Sequence, residues 1–232
     1  MTKPSILVMA GGTGGHIFPG LAVAEYLRIC GWNVAWLGNP KGMEYRLVQS
    51  CDFPFEEVEF GGLRGKGLTT KLMLPINLAR ACFQSWKIMR RLKPSVVLGM
   101  GGYITFPGGL VTKLLKRPLV LHESNSVAGS ANLALAKIAM RTLTGFPNTM
   151  DKAEWVGNPI RQEFDNMPAP ATRYEQRKGR LSILVVGGSL GALTINEAID
   201  KDLDSLESKG VQVIWQTGKP YHQKAFMRAA GK

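Results

Sequence analysis

The sequence predicts an α/β protein of two doubly wound parallel-sheet domains, the second of them incomplete. Two observations carry this reading. Short apolar runs of strand length alternate with helical patterns along the 232 residues, the order expected of parallel strands joined by helical crossovers. The opening order of strand, glycine-rich loop, helix, glycine and strand then restarts near residue 181, as a doubly wound unit begins.

The elements follow in order. Residues 5–10 are a continuous apolar run and read as a buried strand. A helix is expected over 18–30, with Pro19 in its first turn and Gly31 as its stop. Residues 33–37 form the next strand, and 38–71 show no clear period beyond glycines at 38–42 and 61–67 that read as turns. A long helical pattern covers 72–92 and stops before Pro94. Strand 96–98, helix 108–115, strand 119–122, helix 128–140 and strand 141–144 complete the first domain. Prolines and charges over 164–180 read as a linker. The second domain holds strand 181–186, helix 193–208, strand 211–216 and a helical piece over 221–230. The expected division is thus 1–163, a linker 164–180, and 181–232 as the start of a further domain. About 50 residues fall short of the 100 or more that an α/β domain commonly needs.

Charge is unevenly placed. The chain carries +12, yet residues 61–120 hold eleven Lys or Arg and no Asp or Glu. Such a block suits an anionic partner, whether nucleic acid or an acidic membrane surface. No recognised nucleic-acid module accompanies it. Leu72, Ile76, Ala79, Phe83 and Trp86 recur at helical spacing, with Lys71, Arg80, Lys87 and Arg90 around them. An apolar stripe ringed by cations suits insertion into an anionic leaflet; a second stripe, Leu78, Cys82, Met89 and Leu92, can pack on a sheet. No apolar run reaches membrane-spanning length, and the N-terminus lacks a signal-peptide core, so a cytoplasmic protein is expected. Three dispersed cysteines make neither a disulfide framework nor a metal cluster.

Three glycine-rich loops each follow a predicted strand: Gly11-Gly12-Thr13-Gly14-Gly15-His16, Gly99-Met100-Gly101-Gly102-Tyr103 and Gly187-Gly188-Ser189-Leu190-Gly191-Ala192. Backbone N–H groups approach an anion closely in such loops, and a helix N-terminus adds partial positive charge. Sites for phosphorylated ligands are expected there. The first loop lacks the third glycine of the dinucleotide fingerprint, and strand 33–37 ends without an acid for a ribose; both count against a nicotinamide enzyme. His16, at the helix entrance, can act as a base, contact a phosphate or serve the helix itself. His122-Glu123-Ser124-Asn125 stands at a strand end, where open α/β sheets bind ligands. Glu123 can serve as base or orient a hydroxyl, and Asn125 can bond a sugar. Arg161, in Gly157-Asn158-Pro159-Ile160-Arg161, is a candidate diphosphate ligand. Asp200, Asp202 and Asp204 spell two DxD triplets inside a helical pattern and read as a solvated face.

Taken together, these motifs resemble the MurG family of peripheral membrane glycosyltransferases, in the family's order and spacing. The resemblance implies a GT-B fold, with an N-terminal acceptor domain, a C-terminal donor domain and the active site between them. It implies inverting transfer of N-acetylglucosamine from UDP-GlcNAc to the muramyl 4-hydroxyl of lipid I, in peptidoglycan synthesis at the cytoplasmic face of the bacterial inner membrane. Donor contacts map onto Thr13, Gly14, Gly15, Asn125, Arg161 and Ser189, and catalysis onto His16 or Glu123. Gly101, Gly102 and Tyr103 form an acceptor or diphosphate loop. The apolar patch with a basic rim falls on Lys71, Leu72, Ile76, Phe83, Trp86, Lys87 and Arg90. The partners implied are UDP-GlcNAc, lipid I and an anionic membrane, with no nucleic acid, no cofactor and no obligatory metal. Ser124 and Leu190 stand where the family commonly has Gln. The family's donor domain runs on past position 232, through segments that grip uridine and the sugar. An inactive, truncated homologue that binds lipid I or membrane without turnover is therefore the alternative expectation.

Overall fold

The computed structural model describes residues 3–61, 72–175, 177–188, 191–218, 221, 222 and 225. Lys71, Ser189 and Leu190, the turn at 62–67 and most of the helical piece at 221–230 lie outside the described residues. The chain divides into two units, Met1–Asn166 and Met167–Lys232.

The first unit is a seven-stranded parallel sheet. Its strands are β1 (Ser5–Ala10), β2 (Asn33–Gly38), β3 (Phe55–Glu57), β4 (Val96–Gly101), β5 (Leu119–Glu123), β6 (Arg141–Thr144) and β7 (Glu154–Trp155). They lie in the order β3-β2-β1-β4-β5-β6-β7. The order reverses between β1 and β4, the switch point beyond whose strand ends open α/β sheets bind ligands.

Period-two alternation along β1 divides the core. Ile6, Val8 and Ala10 face one side with Trp36 and Met100, and Ile17, Leu21 and Ala24 of α1 (Gly14–Ile29) cover them. Leu7 and Met9 face the other side. There they meet Ala81, Ile88 and Met89 of α3 (Leu74–Leu92), Val111 of α4 (Thr105–Leu114) and Leu135 of α5 (Ser130–Ala136). Buried on both faces, the central strands carry continuous apolar runs.

The structure departs from the expected elements where glycines or short lengths hide them. α1 begins at Gly14, four residues earlier than expected, so Pro19 lies in its second turn. The Thr13 carbonyl accepts from the amides of His16 and Ile17 and closes the opening turn. The stretch without clear period holds α2 (Met43–Gln49) and β3. Two short helices fall at the expected linker: α6 (Gln162–Asp165) straddles its start and α7 (Pro170–Glu175) lies within it.

In the second unit, β8 (Ser182–Val186) pairs in parallel with β9 (Gln212–Gln216), and α8 (Leu193–Ser208) follows β8. Leu184, Val186 and Ile214 point to the open face of this pair. Asp200 accepts a hydrogen bond from the buried Tyr221 hydroxyl, so this member of the DxD triplets does more than meet solvent.

Candidate functional site

The first glycine loop leaves the end of β1. The second, expected from Gly99, leaves β4 only at Gly102, because Gly99, Met100 and Gly101 belong to the strand, and it touches the first. The Gly11 amide donates to the Gly101 carbonyl at 3.4 Å. Gly102 has φ +86, and a Cβ there would collide with the Gly11 carbonyl. Glycine at 102 is thus required twice, by conformation and by space. Both loops open at the switch point.

The anion held by the first loop is the chain's own. Glu44, at the start of α2, has 0% exposure. Its Oε1 accepts from the Asn39 amide at 3.1 Å and its Oε2 from the Gly12 amide at 3.4 Å. Three glycines make room for it. A Cβ on Gly11 would lie 2.6 Å from Oε1, one on Gly38 would lie 2.9 Å from Cγ, and one on Gly42 would overlap the carboxyl group. The sequence predicts a phosphate site in this loop; the structure commits the Gly12 N–H to Glu44 and leaves Thr13, Gly14 and Gly15 at the start of α1. The N-terminus of α1 remains open. Thr13, at its N-cap position, makes no side-chain cap, and no acid sits in the first turn. Tyr103 lies over the same pocket, its ring 3.6 Å from where a Gly12 Cβ would stand. Burial raises the Tyr103 phenol above its ordinary value; the Glu44 carboxylate adds to this, and the Asn39 side chain works against it.

His16 stands where these loops meet α1. The ring edge carrying Nδ1 and Cε1 packs on Gly101, where a Cβ would lie 2.7 and 2.8 Å from those atoms. Burial holds the imidazole below the usual histidine value, and the Glu123 carboxylate and the Met100 backbone only partly offset this. His16 is therefore neutral at physiological pH, as a proton acceptor must be.

Glu123, at the end of β5, is in the opposite condition. It has 0% exposure and accepts four hydrogen bonds. Oε1 takes the Asn125 amide at 3.0 Å and Asn125 Nδ2 at 2.8 Å; Oε2 takes the Gly129 amide at 3.0 Å and Asn132 Nδ2 at 2.9 Å. Burial alone would raise its pKa, but these donors outweigh burial and leave it below the usual carboxylate value. The carboxylate also fixes the Asn125 amide. Its NH₂ must face the acceptor-only carboxylate, which leaves Oδ1 of this exposed residue for a ligand.

The 157–161 stretch is tied to the same strand end. The His122 Nε2–H donates to the Gly157 carbonyl at 2.9 Å, and Asn158 Nδ2 donates to the Ser124 carbonyl at 3.2 Å. This brings Arg161 to α1, where its guanidinium lies 5.3 Å from the Phe18 ring centroid and 5.0 Å from that of Phe164. Glu163 Oε2 is 3.6 Å away. The structure thus gathers Thr13, Gly14, Gly15, His16, Gly101, Gly102, Tyr103, Glu123, Asn125 and Arg161 around one end of the sheet. Glu44 and Asn132 join them without having been singled out in the sequence, and His122 joins them as a member of the 122–125 motif.

Two family models match the chain. Residues 6–144 match the glycosyltransferase family 28 N-terminal domain, and residues 182–231 match the family 28 C-terminal domain. The chain belongs to glycosyltransferase family 28. Among its relatives is the UDP-N-acetylglucosamine–N-acetylmuramyl-(pentapeptide) pyrophosphoryl-undecaprenol N-acetylglucosamine transferase of Polynucleobacter asymbioticus. It is 86% identical over 199 residues, covering 86% of this chain and 56% of the relative. The enzyme of the same description from Cupriavidus necator is 62% identical over 202 residues, covering 87% of this chain and 57% of its own length. The crystal structure of Acinetobacter baumannii MurG superposes with a TM-score of 0.71 at 39% identity, over 88% of this chain and 58% of that one. SnogD, a glycosyltransferase from Streptomyces nogalater, shares the fold at a TM-score of 0.61 and 18% identity, over 94% of this chain and 67% of that one. The family 28 chain therefore has an α/β fold of GT-B type, and spans little more than half the length of these transferase relatives.

Proposed function

We propose that this chain is the acceptor-side portion, with the start of the donor-side portion, of an inverting N-acetylglucosaminyltransferase. Its donor is UDP-GlcNAc and its acceptor the muramyl 4-hydroxyl of lipid I. The names of its 86%-identical and 62%-identical relatives support the substrates. The observation that carries the chemistry is His16: a neutral imidazole at the switch point, between two glycine loops and the uncapped N-terminus of α1.

The acceptor oxygen attacks the anomeric carbon of GlcNAc from the face opposite UDP. The new C–O bond forms as the carbon–phosphate oxygen bond breaks, so the α-linked donor gives a β-linked product. The hydroxyl proton passes to His16 Nε2, and the electron pair of the broken bond leaves with UDP. Glu123 does not compete for that proton, because four donors hold it as a low-pKa carboxylate; its part is to orient Asn125 and Asn132. Arg161, backed by two aromatic rings, and the first-turn amides of α1 at Thr13, Gly14 and Gly15 offer positive charge to the diphosphate. Ser189, expected as a further donor contact, lies outside the described residues. The test is a fusion of this chain with the remaining C-terminal residues of the 86%-identical relative. It is expected to convert lipid I and UDP-GlcNAc into a β1→4-linked disaccharide lipid. Hydrolysis of UDP-GlcNAc without transfer would reject the acceptor assignment.

The same reading places the protein peripherally on an anionic membrane. No helix among the described residues is long and apolar enough to cross one. α3 turns Leu78, Cys82 and Met89 to the core and leaves Ile76 and Phe83 exposed at 61% and 55%; Leu72, two residues before it, is exposed at 72%. Lys87 Nζ lies 4.8 Å from the Phe83 ring centroid, and Arg90 lies over Trp86. Arg80 and Arg91 instead pair with Glu59 and Glu56. Trp86 stacks on Phe83 but is half-buried against the core, so the exposed residues are the ones to vary. Replacing Ile76 and Phe83 together by Ser is expected to weaken sedimentation with anionic vesicles roughly tenfold, with added salt weakening it further. Unchanged sedimentation of the folded double variant would remove this face from membrane binding.

A further inference from the structure

Two buried polar atoms beside Gly101 have no hydrogen-bond partner: His16 Nδ1 and Asn132 Oδ1. Asn132 is 1% exposed, on the inward face of α5 with Leu135. Its NH₂ donates to Glu123 Oε2 at 2.9 Å and to the His122 carbonyl at 3.3 Å. Both are acceptors only, so the amide cannot be flipped, and Oδ1 is the atom left over. A Cβ at Gly101 would lie 2.7 Å from His16 Nδ1 and 3.4 Å from Asn132 Nδ2, and φ there is +106. Both side chains therefore border the space that a side chain at position 101 would fill.

Buried polar groups are paired in native proteins. An amide oxygen carries no proton, so any bond between this pair needs the proton on the imidazole. We propose that Asn132 is the positioning residue of the His16 base. Its Oδ1 accepts the Nδ1 proton across one water, and so keeps Nε2 unprotonated and facing the substrate. Glu123 anchors Asn132, giving an ordered series from Glu123 through Asn132 to His16. Without an acceptor at Nδ1, a neutral histidine prefers the proton on Nε2, which is useless to a base that must take a proton there. The inference rests on the reading of His16 as base, but its test requires no turnover.

The test is ¹⁵N NMR of the histidine rings in the 232-residue chain at neutral pH. There are three, His16, His122 and His222, and a His16→Gln spectrum assigns the one that matters. His122 is an internal standard of opposite form, because its Nε2 donates to a carbonyl. The expected result is a protonated Nδ1 and an unprotonated Nε2 for His16. Asn132→Ala should shift His16 toward the Nε2–H form. A wild-type His16 in the Nε2–H form would overturn the proposal without any variant having to fold. So would a folded Asn132→Ala chain with an unchanged tautomer, which would leave the Met100 backbone as what holds the ring. A tautomer that follows Asn132, beside a His16→Ala fusion of normal kcat, would keep this inference and reject the base.

Discussion

In the fusion that carries a whole donor domain, His16→Ala is expected to lower kcat roughly 10²–10⁴-fold, with UDP-GlcNAc affinity nearly unchanged. That loss is about 3–5 kcal/mol of barrier. The acceptor hydroxyl must shed its proton as it attacks, and without the imidazole it must do so to water, which accounts for the size of the loss. Two other roles predict different losses. A phosphate contact would appear mainly as weaker donor binding, and a helix-capping role as about 1 kcal/mol of stability. Capping has little support, since Thr13 holds the N-cap position and His16 lies inside α1. Glu123→Gln is the companion variant. It disturbs the hydrogen bonds that set Asn125 and Asn132, so its main expected effect is a lower melting temperature. A dead Glu123→Gln enzyme of normal stability, beside a near-normal His16→Ala enzyme, would move the base to Glu123.

Glu44→Ala is expected to be the most destabilising single change around the first loop. It strands the Asn39 amide and the Gly12 amide and leaves a hole among Gly11, Gly38 and Gly42. Lost charge-assisted bonds and a cavity together cost about 3–5 kcal/mol, or a melting temperature lower by about 10 °C in a unit of this size. Glu44→Gln keeps the volume but sets an NH₂ against a backbone N–H, so it should fall between the two. A Glu44→Ala chain that melts with the wild type would mean that the carboxylate is not the support of the loop.

The sheet of the first unit was readable because its strands carry continuous apolar runs. β1, β2 and β5 need no tertiary knowledge, since their polar residues, Ser5, Asn33 and the His122-Glu123 pair, stand only at strand ends and leave the apolar runs unbroken. The start of α1 was not readable: Gly14 and Gly15 are poor helix formers, and only the Thr13 carbonyl and the packing of Ile17 make them helical. α2 and β3, at 7 and 3 residues, are too short for a period to show.

The candidate site divides in the same way. Its motifs announce themselves because glycine and polar residues at strand ends are unusual. Glu44 does not, as an acid in a polar segment reads as surface. Only folding brings Gly11, distant in sequence, against it, though the glycines at 38 and 42 were a local sign of something that needed room. Asn132 left a fainter trace, a polar residue three positions before Leu135 on the apolar face of a short helix. Such a residue is worth testing as a buried partner to a catalytic group.

The claim at the centre is that a neutral His16 takes the acceptor proton, and the pH profile of kcat/KM for the fusion tests it most directly, because that ratio reports the free enzyme's essential base. Burial places the folded-state pKa of His16 below the 6.5 of an unperturbed imidazole. A group so depressed is neutral, and its stabilising contribution complete, above the unfolded value; both are lost as pH falls through the folded value. The expected profile is flat through neutrality, with an acid limb whose midpoint lies below 6.5 and which disappears from the residual activity of His16→Ala. An acid limb that survives unchanged in His16→Ala would contradict the assignment.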